Sequence, residues 1–407
     1  MDENTFSLSI EDAAKLIEEE RKNDDSDFTP GGIDIGRTVR VFLREYALSE
    51  KPEKLEDVPE VALLHLERVL DTGLKYLSTG EIRKTLLCRV LLQARRAAAT
   101  GNRPTLLLHD ALDGLDASSQ NALTSFFAGE AQKANGYKII MDNARTQHDR
   151  AENSACRMQI AKEVQHQVDE AVFDRSEYAA EESESAELVK MCNVNVGWGE
   201  RRVLRNFSWS VNKGEHWFIQ GPNGSGKTTL LELITGDNMQ AFSNEVYLFG
   251  KKRGSGETLW DIRRKLGIVS YRLHTEYRMV ADTPLVEVLV SGFHDSIGLY
   301  EQKTDGELAA AHKWLLLEKR FAGREDDAFS SFSYGEQRAA LILRAAVKCP
   351  PLIILDEPCH ALDAEEYALA LAVIESVANT GFSTLLHVSH NPSERLPCEK
   401  NILRLEL

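Results

Sequence analysis

Hydrophobic positions follow the periods of strands and helices most clearly in the second half of the chain. Residues 203–211 alternate between bulky apolar and polar side chains, and a short apolar run lies within residues 215–220. A glycine-rich loop follows, and the apolar spacing after it predicts a helix from about Gly226 to Ile234. The pattern therefore predicts strand, strand, loop and helix in that order.

Two uninterrupted apolar runs lie further along, at residues 352–355 and 384–388. Runs of this length, bounded by proline, glycine or polar residues, are typical of strands that are buried on both faces. Strands that alternate with helices indicate a parallel sheet, so we expect the α/β class.

Two blocks of sequence recur in the same order. Residues 77–92 read LSTGEIRKTLLCRVLL and residues 332–347 read FSYGEQRAALILRAAV, while PTLLLHDALDGLDA at 104–117 corresponds to PLIILDEPCHALDA at 351–364. A repeat of this kind indicates two related units in tandem.

An acidic stretch separates the two copies. Residues 176–187 contain five glutamates and neither lysine nor arginine, which is typical of a solvated linker. We therefore expect a first unit at 1–175, a linker at 176–187 and a second unit at 188–407.

Composition narrows the function classes. The chain has 407 residues and a net charge of −16, which disfavours nucleic-acid binding through a large basic surface. No apolar run approaches the roughly 18 to 20 residues that span a bilayer, so direct membrane insertion is not expected. The acidic amino terminus lacks the apolar region of a secretory signal. Six scattered cysteines without a C-x-x-C pair indicate reduced thiols, so we expect a cytoplasmic protein, free or at a membrane surface.

Residues 221–228 read GPNGSGKT and match the P-loop pattern. Its glycines let backbone N–H groups surround phosphate oxygens, and the helix that follows directs its positive end at the same charge. Lys227 would reach the β- and γ-phosphates of ATP, and the Thr228 hydroxyl would bind Mg²⁺. The alternative is a chance glycine-rich turn. The candidate cofactor-binding residues of the loop and of the helix start are Gly221, Pro222, Asn223, Gly224, Ser225, Gly226, Lys227, Thr228 and Thr229.

A second half of the site is predicted from LIILDEP at 352–358. The apolar strand ends in Asp356, which can hold Mg²⁺, and Glu357 can act as a general base or position water. Ser333 is a plausible N-cap for the helix that follows, and helix-start N–H groups form another phosphate-binding surface.

Together these motifs resemble an ABC-type ATPase, with Walker A at 221–228, signature at 332–337, Walker B at 352–357, D-loop at 361–363 and a switch histidine at His390. The resemblance implies a P-loop NTPase fold with an α-helical signature subdomain. It also implies that His390 contacts the γ-phosphate and that Trp198 stacks on adenine. An ordinary surface histidine and a core tryptophan are the alternatives.

The resemblance narrows to tandem ATPases of the ModF and PhrA group, which are associated with molybdate transport or photorepair. It rests on LSTGEIRKTLLC, on the acidic linker and on the segment 243–262. The alternative tandem class, the ABC-F translation factors, carries a basic interdomain arm that the acidic stretch does not resemble.

The first unit departs from the family pattern. The interval from Lys227 to Ser333 is longer than all the chain before Ser78, so we expect the first unit to lack its own Walker A. A true truncation and a longer gene product both stay open. Its Walker B keeps Asp110 but has Ala111 at the glutamate position, and Asp142 or Asn143, not a histidine, stands at the switch position after the next strand.

In the second unit Tyr271 falls at the position of the family's Q-loop glutamine. That glutamine contributes to the magnesium shell and to coupling with a membrane partner, so the substitution puts both in doubt.

ABC sites are composite, so Lys227 would pair with the intact signature residues Ser78 and Gly80 of the first unit. The helix predicted to begin at Gly80 places Ile82, Leu86 and Val90 on one face, which leaves its N-terminus free to meet phosphate. The expectation is one working site and one dead site formed by intramolecular pairing. The alternative is a homodimer that works through Ser333.

The sequence thus predicts ATP binding and hydrolysis with Mg²⁺, by the ATP-binding protein of a transporter-like system with a membrane permease. Molybdate is the substrate that the resemblance suggests. The alternative is a soluble ATP-gated regulatory or nucleic-acid-associated switch with a soluble partner and no permease.

Overall fold

A computed structural model describes most of the chain, and it divides into two compact units, Met1–Thr146 and Gln147–Leu407. Most of the predicted linker lies outside the described residues. Glu187, the last residue of the predicted linker, begins a strand. The described residues are 4–8, 12, 16, 19–20, 36–47, 54–77, 79–101, 103–109, 115, 117–133, 136–142, 185–198, 201–222, 224–278, 282–360 and 362–406.

The first unit contains a parallel sheet of three described strands in the order β1-β2-β3. Residues in β2 such as Leu106 and Leu108 are fully buried, as expected for the central strand. The strands are β1 (Thr5–Leu8), β2 (Thr105–His109) and β3 (Lys138–Asp142).

The longest described helix of this unit buries the apolar residues that its sequence predicts, and also the residues between them. Ile82, Leu86 and Val90 recur at four-residue intervals and are almost completely buried in the unit's core. The prediction that only one face of this helix packs is wrong, because every residue from 82 to 88 is buried, including Arg83 and Lys84. The helices whose bounds lie within the described residues of this unit are α1 (Val39–Arg44), α2 (Pro59–Leu63), α3 (Thr79–Ala99) and α4 (Ala117–Gln132).

The second unit is built on a five-stranded parallel sheet in the order β12-β6-β11-β10-β9. The apolar runs at 352–355 and 384–388 form two adjacent strands at its centre, so both predicted strands are confirmed. The strands are β6 (Trp217–Gln220), β9 (Leu266–Val269), β10 (Leu352–Asp356), β11 (Thr384–Val388) and β12 (Asn401–Arg404).

A separate antiparallel sheet of four strands, in the order β5-β4-β7-β8, packs into the same core as the P-loop helix. The alternation at 203–211 lies in β5, where Leu204, Trp209 and Val211 are buried. Alternation is typical of an antiparallel sheet with one solvent-exposed face, whereas β10 and β11, inside the parallel sheet, are apolar over most of their length. The strands are β4 (Glu187–Trp198), β5 (Arg201–Asn212), β7 (Glu245–Leu248) and β8 (Lys251–Lys252).

The helices of the second unit connect these strands. The P-loop helix spans Lys227–Thr235, close to the predicted 226–234. The helices just before and just after β10, at Tyr334–Ala346 and Ala364–Asn379, are buried along most of their length. The described helices are α5 (Lys227–Thr235), α6 (Leu259–Arg263), α7 (Tyr271–Arg278), α8 (Leu285–Val290), α9 (Asp305–Leu315), α10 (Tyr334–Ala346) and α11 (Ala364–Asn379). Within the described part of the chain, no helix combines the length and apolarity that crossing a membrane requires.

Candidate nucleotide site

The P-loop joins the end of β6 to the start of α5. Gly224 has a φ of +85° and Gly226 a φ of +94°, a left-handed conformation that other residues rarely adopt. A Cβ on Gly226 would lie 2.7 Å from the Val203 side chain, and one on Gly221 would lie 2.5 Å from the Ser225 hydroxyl. Glycine is therefore required at these positions by the course of the backbone, not by chance composition.

The polar groups of this loop point inward. Nζ of Lys227 donates to the carbonyl oxygens of Gly221 at 2.7 Å and of Pro222 at 3.2 Å. Oγ of Ser225 is buried and has no hydrogen-bond partner among the described residues. A buried hydroxyl without a partner is costly, and a phosphate oxygen would satisfy it. The loop thus fits a phosphate group.

The next two residues of α5 differ in exposure. Thr228 is exposed, and its hydroxyl is a hard oxygen donor of the kind that Mg²⁺ prefers. Thr229 is buried against the core. Thr228 is therefore the better placed of the two for a metal, and Thr229 packs the helix in position.

Asp356 ends β10 beside the P-loop. Burial raises the pKa of this carboxyl to about 7; the charge of Glu357 adds to the rise, and Lys227 opposes it. A carboxylate held at such a position is destabilised by burial and gains from a nearby cation.

Glu357 follows directly in a left-handed conformation with φ of +50°. Its backbone N–H donates to the Val388 carbonyl of β11 at 2.9 Å. Nδ1 of His390 lies 2.8 Å from Oε2 of Glu357. Because β10 and β11 are parallel neighbours, their carboxyl ends meet, and the two residues come together there.

The signature helix of the second unit begins as the sequence predicts. Ser333 is the N-cap of α10, and it forms a capping box with Glu336. In the first unit Gly80 is buried near the start of α3, which begins at Thr79. Ser78 lies outside the described residues.

Sequence reasoning missed a buried contact between α7 and α10. The His274 ring stacks on the Tyr334 ring at 4.4 Å, and its Nε2 lies 3.0 Å from Oε1 of Gln337. Nearby, Tyr271 is buried edge-on to the His360 ring at 5.6 Å. His274 was the only visible sign of this contact in the sequence. Nothing in its local pattern identifies Gln337, which lies 63 residues away, as its partner.

Several predicted residues cannot be placed. Asn223, Asp110, Ala111, Asn143 and Ala361 lie outside the described residues. Trp198 ends β4, but its side chain is not described, so adenine stacking stays a prediction.

Comparison with known proteins agrees with the motifs. Residues 204–360 match the family model described as ABC transporter. The chain is 34% identical to the ABC transporter ATP-binding protein ModF of Escherichia coli over 96% of this chain and 81% of that protein. It is 29% identical to an uncharacterized ABC transporter ATP-binding protein of Schizosaccharomyces pombe over 88% of this chain and 74% of that protein.

The similarity to ModF includes both repeated blocks, because it extends over nearly the whole chain. The match to the family model covers the P-loop and Walker B, which are the two motifs that the structure brings together. The chain belongs to the ABC transporter ATP-binding proteins, and it is an ABC-type ATPase with a P-loop fold.

Proposed function

We propose that the second unit binds Mg-ATP on the P-loop and hydrolyses it with Glu357 as the general base. The observation that carries this proposal is the 2.8 Å pairing of Glu357 and His390 at the carboxyl ends of two neighbouring strands. Lys227 and the loop amides hold the phosphates. Glu357 keeps one carboxylate oxygen on His390 and uses the other to orient the attacking water.

His390 has two roles in this proposal. Its Nδ1–H donates to Glu357, which holds the carboxylate in one orientation, and its Nε2 is directed to a γ-phosphate oxygen. A base that is positioned in this way accelerates proton transfer by about 10² to 10⁴. The contact therefore links recognition of the γ-phosphate to orientation of the base.

The residues present also fit Mg²⁺. Thr228 offers an exposed hydroxyl and Asp356 a carboxylate near Lys227, and Mg²⁺ commonly combines one or two such groups with phosphate oxygens and water. The bound ion would neutralise the charge on the β- and γ-phosphates.

We propose a transporter-like role for this ATPase, at the cytoplasmic side, where it would work with a membrane permease. The names of the relatives support this, because both are called ABC transporter ATP-binding proteins. Molybdate as the transported anion stays a prediction from the sequence resemblance.

A second candidate is an ATP-gated switch without a permease. Tyr271 favours it, because this residue is buried against His360 at the position where the family carries a polar glutamine. A buried ring offers neither the magnesium contact nor the exposed amide of that glutamine. Purification from native membranes distinguishes the two, since only the transporter role predicts a co-purifying multi-span protein.

Calorimetry with Lys227→Ala tests nucleotide binding. The β- and γ-phosphates lose their point charge in this variant, so ATP affinity should fall by about tenfold or more. Lys213→Ala is the matched control, because Lys213 is an exposed lysine at a turn of the same unit. Equal affinities in both variants would refute the assignment of the P-loop.

A further inference from the structure

A carboxylate from the same unit already lies at the start of the signature helix α10. The backbone N–H of Gly335 donates to Oε1 of Glu366 at 3.0 Å. Glu366 belongs to the first turn of α11, where its own N–H donates to Oδ1 of the N-cap Asp363 at 2.8 Å. Its side chain thus lies at the positive ends of two helices, where a negative charge is stabilised.

The contact depends on glycine at position 335. A Cβ at this position would lie 2.3 to 2.5 Å from the Cβ, Cγ and Cδ atoms of Glu366, far inside normal contact distance. Only a residue without a side chain allows the carboxylate to approach this turn. The two residues are therefore packed against each other, not merely near one another.

Two further N–H groups at the start of α10 have partners within the capping box. Oγ of Ser333 accepts from the Glu336 N–H at 3.2 Å, and Oε2 of Glu336 accepts from the Ser333 N–H at 2.9 Å. A phosphate approaching this turn would meet the Glu366 carboxylate where it needs the Gly335 N–H. The two anions compete for one donor and repel each other.

We propose that Glu366 is an autoinhibitory anion, which occupies the phosphate-binding start of α10 and prevents this signature motif from closing on ATP bound to a second copy of the chain. The inference rests on the proposed function, because that ATP would be held by the P-loop around Lys227. The motif opens when the half-buried Glu366 side chain turns toward solvent.

The expected size of the effect follows from the contact. A hydrogen bond to a charged group contributes enough to bias an equilibrium by about tenfold or more. ATP-dependent self-association should therefore need about tenfold less protein once the carboxylate is removed.

The test uses the full chain with Glu357→Gln, so that bound ATP is not hydrolysed. Sedimentation velocity with Mg-ATP then compares this background with added Glu366→Ala, Glu366→Gln or Glu365→Ala. Glu366→Ala should self-associate at about tenfold lower concentration, and Glu366→Gln should be intermediate, because it keeps the shape but loses the charge. Glu365→Ala should not change the midpoint, since Glu365 lies on the same helix turn as Glu366 but pairs with Arg320, at 2.8 Å.

Calorimetry on the same samples separates the two claims. If ATP does not bind the background variant, the proposed function fails. If ATP binds and the midpoints are equal in all variants, Glu366 is not autoinhibitory and the proposed function stands.

Hydrogen exchange without nucleotide gives a second readout. Amide exchange at the start of α10 should be faster in Glu366→Ala than in Glu365→Ala, because the Gly335 N–H loses its acceptor. Should the alanine variant fail to fold, Glu366→Gln keeps the packing and carries the self-association test. Unchanged exchange at Gly335 in folded Glu366→Ala would overturn the proposal.

Discussion

Nδ1 of His390 lies 2.8 Å from Oε2 of Glu357, although 33 residues separate them in the sequence. The pairing of β10 with β11 brings their carboxyl ends together, and the left-handed backbone of Glu357 anchors it to Val388 of the neighbouring strand. The strands thus hold a base and its orienting partner in one place. We therefore expect Glu357 and His390 to contribute jointly to ATP hydrolysis.

Glu357→Gln should keep ATP binding and lose turnover. The amide has the same shape as the carboxylate but cannot accept the proton of the attacking water, so the turnover rate should fall by about 10²-fold or more. Steady-state ATPase assays and calorimetry on one preparation measure both quantities. Glu365→Gln is the control, and a Glu357→Gln enzyme that turns over at the wild-type rate would assign the base to another residue.

His390→Ala should show that the pair is coupled. If His390 acts largely through Glu357, the double variant with Glu357→Gln should lose little more than the worse single variant, because residues that act as a unit are not additive. Turnover rates of the wild type, both single variants and the double variant complete the cycle. Fully additive losses would contradict a shared role.

The two signature motifs should differ in importance. The sequence predicts that Ser78 serves the working site, so Ser78→Arg should cripple hydrolysis while ATP still binds to the P-loop. Ser333→Arg should have little effect, because within the chain its motif is predicted to face no phosphate-binding loop. ATPase rates of the two variants, measured side by side, decide between this hypothesis and a homodimer; a larger loss at Ser333 favours the homodimer.

The stability of the second unit should fall as the pH rises above neutrality. His387 is buried with its Nδ1 2.8 Å from Glu399 and its Nε2 3.6 Å from Glu394. Burial lowers its pKa, but the two carboxylates outweigh burial and raise the pKa to about 9. Since the folded pKa lies above the unfolded value of about 6.5, the stabilisation is complete below pH 6.5 and is lost as the pH rises through 9.

Urea unfolding between pH 6 and 10 measures this dependence. Tryptophan fluorescence reports on the second unit, because all five tryptophans lie between residues 198 and 314. The free energy of unfolding should decrease by a few kcal/mol, on the order of 1.4 kcal/mol for each unit of pKa shift. Glu394→Gln should shift the loss of stability to lower pH, because His387 loses one of its two carboxylates. A free energy of unfolding that is constant from pH 7 to 9 would contradict the conclusion that His387 is charged in the folded protein.

The sequence by itself determined the P-loop, the two apolar strands at 352–355 and 384–388, and the helix after the loop. These features depend on short-range spacing, since glycine conformation, strand length and helical period act over a few residues. The same spacing identified Lys227, Asp356 and Glu357 as site residues, and it identified three buried residues of α3 but not that the residues between them are buried too.

Only the tertiary structure decided which distant residues meet. The pairing of His274 with Gln337, the burial of Tyr271 against His360 and the contact between Gly335 and Glu366 all join different elements. No local pattern encodes such contacts, because they depend on strand order and on how the helices pack. The antiparallel sheet also required the structure, since alternation shows that a strand is half-buried but not which strands pair with it.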